Sequence, residues 1–216
     1  MKLDHVLLPC KMTSRRILRK NLAVVGGRSL LDLGIDRFQL WYPDATIWVA
    51  TEDRQARQIA EIRGCRIYPL TESDTDDKRN VSELFTEWLS HRDRSERCCY
   101  AQLTSPFTFR YELDIAINDP RPYVRSAWFG RLVESVKNAH GGYEWHPLTQ
   151  SLPERVVLTG NFGVANGQHV VTMQDESTEF LPVSWLSAID IDNPTDLQLA
   201  QHVGIYMSLT SFDLRT

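Results

Sequence analysis

No apolar run in this chain approaches the ~20 residues that a bilayer-crossing helix needs, so a helical membrane protein is excluded from the first reading. Positive charge is not in excess either. The 24 Lys and Arg against 28 Asp and Glu leave a net charge of −4, a balance that supplies no general attraction to nucleic acid or to anionic membranes. Any anionic ligand must therefore be met by a local cluster of cations, and neither a nucleic-acid nor a membrane partner is expected. Cysteine is scarce: Cys10, Cys65, Cys98 and Cys99 include no CxxC pair, and three of them fall in or beside predicted strands, so buried, reduced thiols are expected. Internal repeats and low-complexity segments are absent. The first nine residues, Met1-Lys2-Leu3-Asp4-His5-Val6-Leu7-Leu8-Pro9, are too short and too acidic for a signal peptide and read instead as a first strand, so a cytoplasmic location is expected.

What is present fits one folded domain. A length of 216 residues suits a single core with a small arm, and 42% hydrophobic with 24% charged residues is ordinary for a globular chain. Residues 6–9 form a short apolar strand followed by a basic loop. Residues 29–40 carry a helical pattern in Leu30, Leu31, Leu33, Ile35 and Phe38. Residues 46–50 (Thr-Ile-Trp-Val-Ala) are nearly all apolar, as in a strand buried on both faces, and 54–63 is a helix closed by Gly64. A third strand at 65–69, a helix at about 81–90, a fourth strand at 98–103 and a helix at 109–118 continue the alternation. Such spacing predicts an α/β fold with an open, mostly parallel twisted sheet and helices on both faces. Farther on the pattern loosens. Residues 123–129 read as a strand, 131–159 as an excursion from the sheet, 161–165 and 183–191 as strands, and 194 to about 207 as the closing helix.

Two features carry chemistry. The first is Asp190-Ile191-Asp192-Asn193-Pro194-Thr195-Asp196. On a strand, residues i and i+2 share a face, so Asp190 and Asp192 would aim at one point while Ile189 and Ile191 pack inward. Two carboxylates that close repel unless a cation lies between them, and hard oxygen ligands suit Mg²⁺ with substrate phosphates completing its shell. Asn193 as N-cap, Pro194 in the first turn and Asp196 near the helix dipole start a helix at once, placing the acids where open α/β sheets bind ligands. An amphipathic strand with a wet face would show the same two acids.

The second feature is the loop Cys10-Lys11-Met12-Thr13-Ser14-Arg15-Arg16-Ile17-Leu18-Arg19-Lys20-Asn21, with five cations in ten positions. After a first strand, such a loop sits at the carboxyl edge of the sheet, where backbone amides and cations can surround a polyphosphate. A solvated basic loop is the plainer alternative. A cationic clamp together with an acid pair for a metal is what a triphosphate site needs.

These residues resemble the acylneuraminate cytidylyltransferase family, the CMP-sialic acid synthetases and their relatives that activate other nonulosonic acids. The family's first loop, A-R-x-x-S-K-G-x-P-x-K-N, corresponds in length to residues 10–21. Its S-T-D after the second strand resembles Ala50-Thr51-Glu52, its Q-x-T-S-P matches Gln102-Leu103-Thr104-Ser105-Pro106, and its closing D-I-D matches Asp190-Ile191-Asp192. The resemblance implies a Rossmann-like nucleotidyltransferase fold, a single cytidylyltransferase domain over 1–216 with an inserted dimerisation arm at about 131–159, and a homodimer. It implies CTP and a keto-sugar acid as substrates and Mg²⁺ as cofactor. The anomeric hydroxyl of the sugar acid attacks the α-phosphorus, giving a CMP-sugar and pyrophosphate. On this reading Lys20, Asp190 and Asp192 are catalytic, with the two aspartates holding the metal. Lys11, Ser14, Arg15, Lys20 and Asn21 bind the nucleotide, and Gln102, Thr104, Ser105 and Arg155 face the acceptor.

The chain departs from the family at Lys11 for arginine, Arg16 for glycine and Leu18 for proline. Lysine cannot grip phosphate bidentately, and arginine lacks the conformational range of glycine. Where the family has an arginine before its Q-x-L-P-like segment this chain has Thr149-Gln150-Ser151-Leu152-Pro153, so the acceptor carboxylate would be met by Arg155 or Arg131, or the acceptor is not sialic acid. A nucleotidyltransferase for another acceptor, and a degenerate relative that binds nucleotide without turnover, are the competing readings. His140 and His146 are read as surface or packing residues, and Trp41-Tyr42 and Trp128-Phe129 as core or interface filling.

Overall fold

The computed structural model describes residues 1–71, 80–130, 136–137, 143–144, 155–170 and 179–209. Strand β1 (His5–Pro9) leads through the basic loop and a 3-10 turn (Lys20–Leu22) into a tight hairpin, β2 (Val24–Val25) and β3 (Arg28–Ser29), and then helix α1 (Leu30–Trp41). Gly26 and Gly27 both hold positive φ, 58° and 85°, which is what a two-residue turn twisted to match its strands requires. Next come β4 (Thr46–Thr51), α2 (Arg54–Ile62), β5 (Arg66–Pro69), α3 (Val81–Ser90), β6 (Arg97–Ala101), α4 (Arg110–Asn118) and β7 (Tyr123–Gly130). The short pair β8 (Val136–Lys137) and β9 (Tyr143–Glu144) stands outside the main sheet, and the chain closes with β10 (Arg155–Asn166), β11 (Glu179–Pro182) and α5 (Pro194–Leu209).

The main sheet has seven strands in the order β11-β7-β10-β6-β1-β4-β5. All pairings are parallel except the two made by β10, which runs antiparallel to β6 and β7. Period-two alternation explains its two cores. Val6, Leu8, Val49, Cys99 and Ala101 point to the face covered by α1, α2, α4 and α5. Leu7, Ala50, Cys98 and Tyr100 point to the other, where α3 lays down Leu84, Phe85, Trp88 and Leu89. The mostly parallel sheet with helices on both faces is the architecture expected from the sequence. Helix starts follow local chemistry as well. Ser29 accepts from the Asp32 amide, Asp53 from Ala56, and Asn80 with Glu83 completes a capping box. Gly64, at φ 73°, ends α2. All four cysteines are free and buried, and Trp41 is buried in the first core.

Two sequence expectations are corrected. Residues 183–191 are not a strand: β11 ends at Pro182, a turn follows at 185–188, and 189–192 join no ladder, held beside the end of β6 by the Ile191 amide on the Thr104 carbonyl. Ser184 and Ser187 drive the turn, since the Ser184 hydroxyl accepts from the Ser187 amide at 3.1 Å. The excursion after β7 is also shorter than 131–159, because residues 155–158 are already paired with 127–130 in β10. Val156 and Val157 are β-branched, and extending β7 satisfies their backbone groups. Other parts of that excursion, including His140, His146 and the segment 149–153, lie outside the described residues.

Candidate active site

The basic loop after β1, the segment 51–53 after β4, residues 102–109 after β6 and the run 183–193 meet at one rim of the sheet, the carboxyl ends of its parallel strands. The basic loop is stapled to this rim at several points. The Asn21 side-chain amide donates to the Lys11 carbonyl at 2.8 Å and closes the loop on itself. The Met12 amide donates to Glu52 Oε1 at 2.8 Å. Arg19 takes the left-handed conformation, φ 53° and ψ 40°, a cost of about 1 kcal/mol for a residue with a Cβ. Its Nη2 reaches both oxygens of Asp53, at 3.1 and 3.0 Å, which offsets that cost. Asp53 is thereby shared between the loop and the start of α2. Beneath the loop, burial and the nearby Glu52 and Asp53 carboxylates push the Cys10 thiol well above its usual range, so it stays protonated and inert.

Lys20 is drawn in from the loop. Its side chain is 15% exposed and its Nζ lies 3.0 Å from Asp192 Oδ1, while Arg16 Nη1 is 3.6 Å from Asp192 Oδ2. Arg16 is therefore a second cation on the same carboxylate. Asp190 stands beside them, with no ion pair of its own among the described residues. Burial holds its carboxyl above the usual range; a hydrogen bond from the Thr104 side chain and the charge of Lys20 oppose that, and Asp192 and Asp196 reinforce it. Asp190 Oδ1 is buried and has no hydrogen-bond partner among the described residues.

The two acids converge although they lie on no strand. Ile191 is fully buried and its amide donates to the Thr104 carbonyl at 2.9 Å. That anchor turns Ile191 inward and leaves Asp190 and Asp192 to the rim, so the i, i+2 logic survives in a segment outside any ladder. Asn193 caps α5 as expected, accepting from Thr195 and Asp196 at 2.8 and 3.1 Å. Asp196 Oδ2 accepts from the Asp192 and Asn193 amides at 2.8 and 3.0 Å, which fixes the backbone of the second acid. At the far end α5 comes so close to the β2–β3 hairpin that a Cβ on Gly204 would stand 2.9 Å from the Gly26 nitrogen. This contact sets the helix carrying Asp192 against the chain that follows Lys20.

Gln102, Thr104 and Ser105 form the other wall. The Gln102 amide donates to the Asn161 carbonyl at 2.7 Å, and the Thr104 hydroxyl is 3.3 Å from Gln102 Oε1. Strand β10 slips its register between Leu158 and Gly163, and this bulge presents Gly160, at φ 68°, to the Gln102 side chain. A Cβ there would lie 2.9 Å from Gln102 Nε2. Ser105 is fully buried, its hydroxyl 3.3 Å from Asn161 Oδ1, so it supports the wall from behind. Arg155 begins β10 opposite Gly130; its side chain lies outside the described residues. Lys11, Ser14 and Arg15 sit on the basic loop, with Arg15 exposed.

Sequence reasoning missed several supports. Glu112 is 1% exposed. It accepts from the Ser184 amide at 2.7 Å, the Ser187 hydroxyl at 2.6 Å and the Phe109 amide at 3.2 Å, tying α4 to the turn that precedes Asp190. Its signal was an acid three residues after a helix start, one that also serves ordinary capping. Asn161 donates to the Ser187 carbonyl and completes the link. Glu52 was legible only as part of a resemblance. Its Oε2 is buried without a hydrogen-bond partner among the described residues.

The pair Asp190 and Asp192 fits a hard divalent ion. No group of three His, Cys, Asp or Glu able to hold a metal occurs among the described residues, yet Mg²⁺ commonly takes one or two carboxylates and fills its shell with water and phosphate. The partnerless Asp190 oxygen is the ligand such an ion would take.

This fold is that of nucleotidyltransferases. A CMP:2-keto-3-deoxy-manno-octonic acid synthetase complexed with CTP superposes with a TM-score of 0.66 at 13% identity, covering 94% of this chain and 98% of its own. The 4-diphosphocytidyl-2C-methyl-D-erythritol synthase of Anaerococcus prevotii DSM 20548 gives 0.62 at 12% identity, covering 94% and 98%. No curated protein matches the chain in sequence. The family model for cytidylyltransferases matches residues 5–124, more than half of the chain, and the chain belongs to that family.

Proposed function

We propose that this cytidylyltransferase transfers CMP from CTP to the anomeric hydroxyl of a 2-keto sugar acid, of the sialic-acid or other nonulosonic type, and releases pyrophosphate. The observation that carries the reading is the convergence of Asp190 and Asp192 with the Lys20-bearing loop at the carboxyl rim of a cytidylyltransferase fold. In the reaction the hydroxyl oxygen bonds to the α-phosphorus, the bond from that phosphorus to the β-phosphate breaks, and the hydroxyl proton is released. Lys20, Lys11 and Arg15 offset the triphosphate charge, Ser14 and loop amides donate to phosphate oxygens, and Asn21 holds the loop closed at Lys11. Gln102 and Thr104 face the acceptor, backed by Ser105, and Arg155 meets its carboxylate. Asp190 and Asp192 would hold Mg²⁺, which would supply positive charge against the triphosphate and a lowered pKa for an attacking hydroxyl. A cytoplasmic location is part of this proposal, because the reaction draws on a nucleoside triphosphate.

A second acceptor class, a polyol, draws on the fold shared with 4-diphosphocytidyl-2C-methyl-D-erythritol synthases. Pyrophosphate release with each of the four nucleoside triphosphates, against 2-keto sugar acids and polyol phosphates, separates the two. Turnover confined to CTP with a keto-sugar acid is the expected result. CTP binding with no pyrophosphate from any pair would instead identify a degenerate binder.

The proposal includes a homodimer built through the arm. Its support is the β8–β9 pair, a two-stranded ribbon separate from the main sheet between β7 and β10, since an isolated two-stranded ribbon is marginal without something to pack on. Light scattering at micromolar concentration is expected to give twice the mass of the 24.9 kDa chain, and a monomer would remove this part of the proposal.

A further inference from the structure

Both oxygens of Asp192 face cations of the basic loop. Oδ1 is taken by the Lys20 ammonium at 3.0 Å and Oδ2 faces the Arg16 guanidinium at 3.6 Å. The neighbouring Asp190 has its Oδ1 buried and, among the described residues, without a hydrogen-bond partner. A divalent ion approaching this acid pair from solvent meets two positive charges within a few ångströms of the carboxylate it needs. It must displace an ammonium that is 15% exposed. A triphosphate changes that balance, because its several negative charges offer both loop cations a stronger partner than one carboxylate does. Arg16 occupies a loop position where the family that the sequence resembles has glycine, so this half of the arrangement belongs to this chain.

We propose that Lys20 and Arg16 act as a two-cation lock on Asp192, which keeps divalent metal off the Asp190–Asp192 pair until a nucleoside triphosphate draws both cations away. Metal alone then binds poorly, and metal and nucleotide enter as a coupled pair. By thermodynamic linkage the factor by which nucleotide tightens metal equals the factor by which metal tightens nucleotide. The identity of the nucleotide, CTP, rests on the reading above; the lock itself does not.

The test is a titration of Mn²⁺ into the full chain, with and without CTP, following the free ion by electron paramagnetic resonance. Wild type is expected to take up Mn²⁺ weakly alone and on the order of tenfold or more tightly with CTP, within the usual range of site–site coupling. Lys20→Met and Arg16→Met are each expected to bind Mn²⁺ on the order of tenfold more tightly than wild type in the absence of nucleotide, a change of the size one nearby surface charge produces. Asp192→Asn should abolish that uptake in either background. Arg16 is 66% exposed, so its variant keeps the fold and reads the lock cleanly. Unchanged or weaker Mn²⁺ binding in both cation variants would overturn the lock, as would wild type binding Mn²⁺ as tightly without CTP as with it. Failure of wild type to bind CTP by calorimetry, with another triphosphate coupling to Mn²⁺ in its place, would overturn the cytidylyl reading and leave the lock standing.

Discussion

Asp192→Asn and Asp190→Asn are each expected to lower turnover by about three orders of magnitude, the scale of several kcal/mol of transition-state charge stabilisation, while the protein remains folded. Each change keeps the volume and one oxygen but removes the negative charge that a hard divalent ion needs. At position 192 it also releases Lys20 and Arg16 from their shared carboxylate. The two positions differ in what the fold feels. Asp192 is 47% exposed, so its pairing with Lys20 contributes little to stability once solvent screening is counted. Asp190 sits where burial disfavours its charged form, so a neutral amide there costs the fold little and relieves a buried charge. Pyrophosphate release and thermal unfolding, measured on the same preparations, check both halves. Normal turnover in both variants would place the chemistry elsewhere.

Glu112→Ala is expected to destabilise the protein by about 3 kcal/mol, because it strands the Ser184 and Phe109 amides, each worth roughly 1–3 kcal/mol without a partner, and leaves the Ser187 hydroxyl to the Phe107 carbonyl alone. That is a large fraction of the ~5–15 kcal/mol that holds a domain of ordinary stability together. The loss would be concentrated at the turn 184–188, whose Ser187 carbonyl is also bound by Asn161 and whose exit leads directly to Asp190. Turnover should therefore fall even at temperatures where the variant is folded. Glu112→Gln keeps the acceptor oxygen and should recover part of both losses. Urea unfolding gives the stability change directly, and a loss below ~1 kcal/mol would mean that water or a shifted side chain replaces the carboxylate.

The elements legible in the sequence were those whose signal is local. The apolar run at 46–50 places side chains in both cores, Val49 in one and Ala50 in the other. Asn193 and Gly64 mark helix ends because capping and left-handed termination depend on a few neighbouring residues. The segment 183–191 looked like a strand because its apolar residues resemble a strand's, while the turn at 185–188 depends on the Ser184–Ser187 hydrogen bond and on contacts with Glu112 and Asn161 that lie far along the chain. The extension of β10 back to Arg155 and the glycine bulge beside Gln102 were hidden for a related reason: register is a property of two strands, and one sequence window holds only one.

For the site, the sequence by itself determined the chemical parts: an acid pair two residues apart before a capped helix, and a short basic loop after a first strand. The spacing of the acids follows from local geometry, which is why Asp190 and Asp192 could be named as a pair without coordinates, while Lys20 was singled out within its loop by the family resemblance. Only the tertiary structure decided which groups face one another. Lys20 and Asp192 are separated by 172 residues and stand 3.0 Å apart. Arg16 joins them, Asn21 turns back on its own loop, and Glu112 and Asn161 hold the turn before Asp190. Those pairings arise from the packing of α5 onto the β2–β3 hairpin and from the anchoring of Ile191 on the Thr104 carbonyl. Contacts of that kind carry no periodicity along the chain, because their energy depends on distance in space.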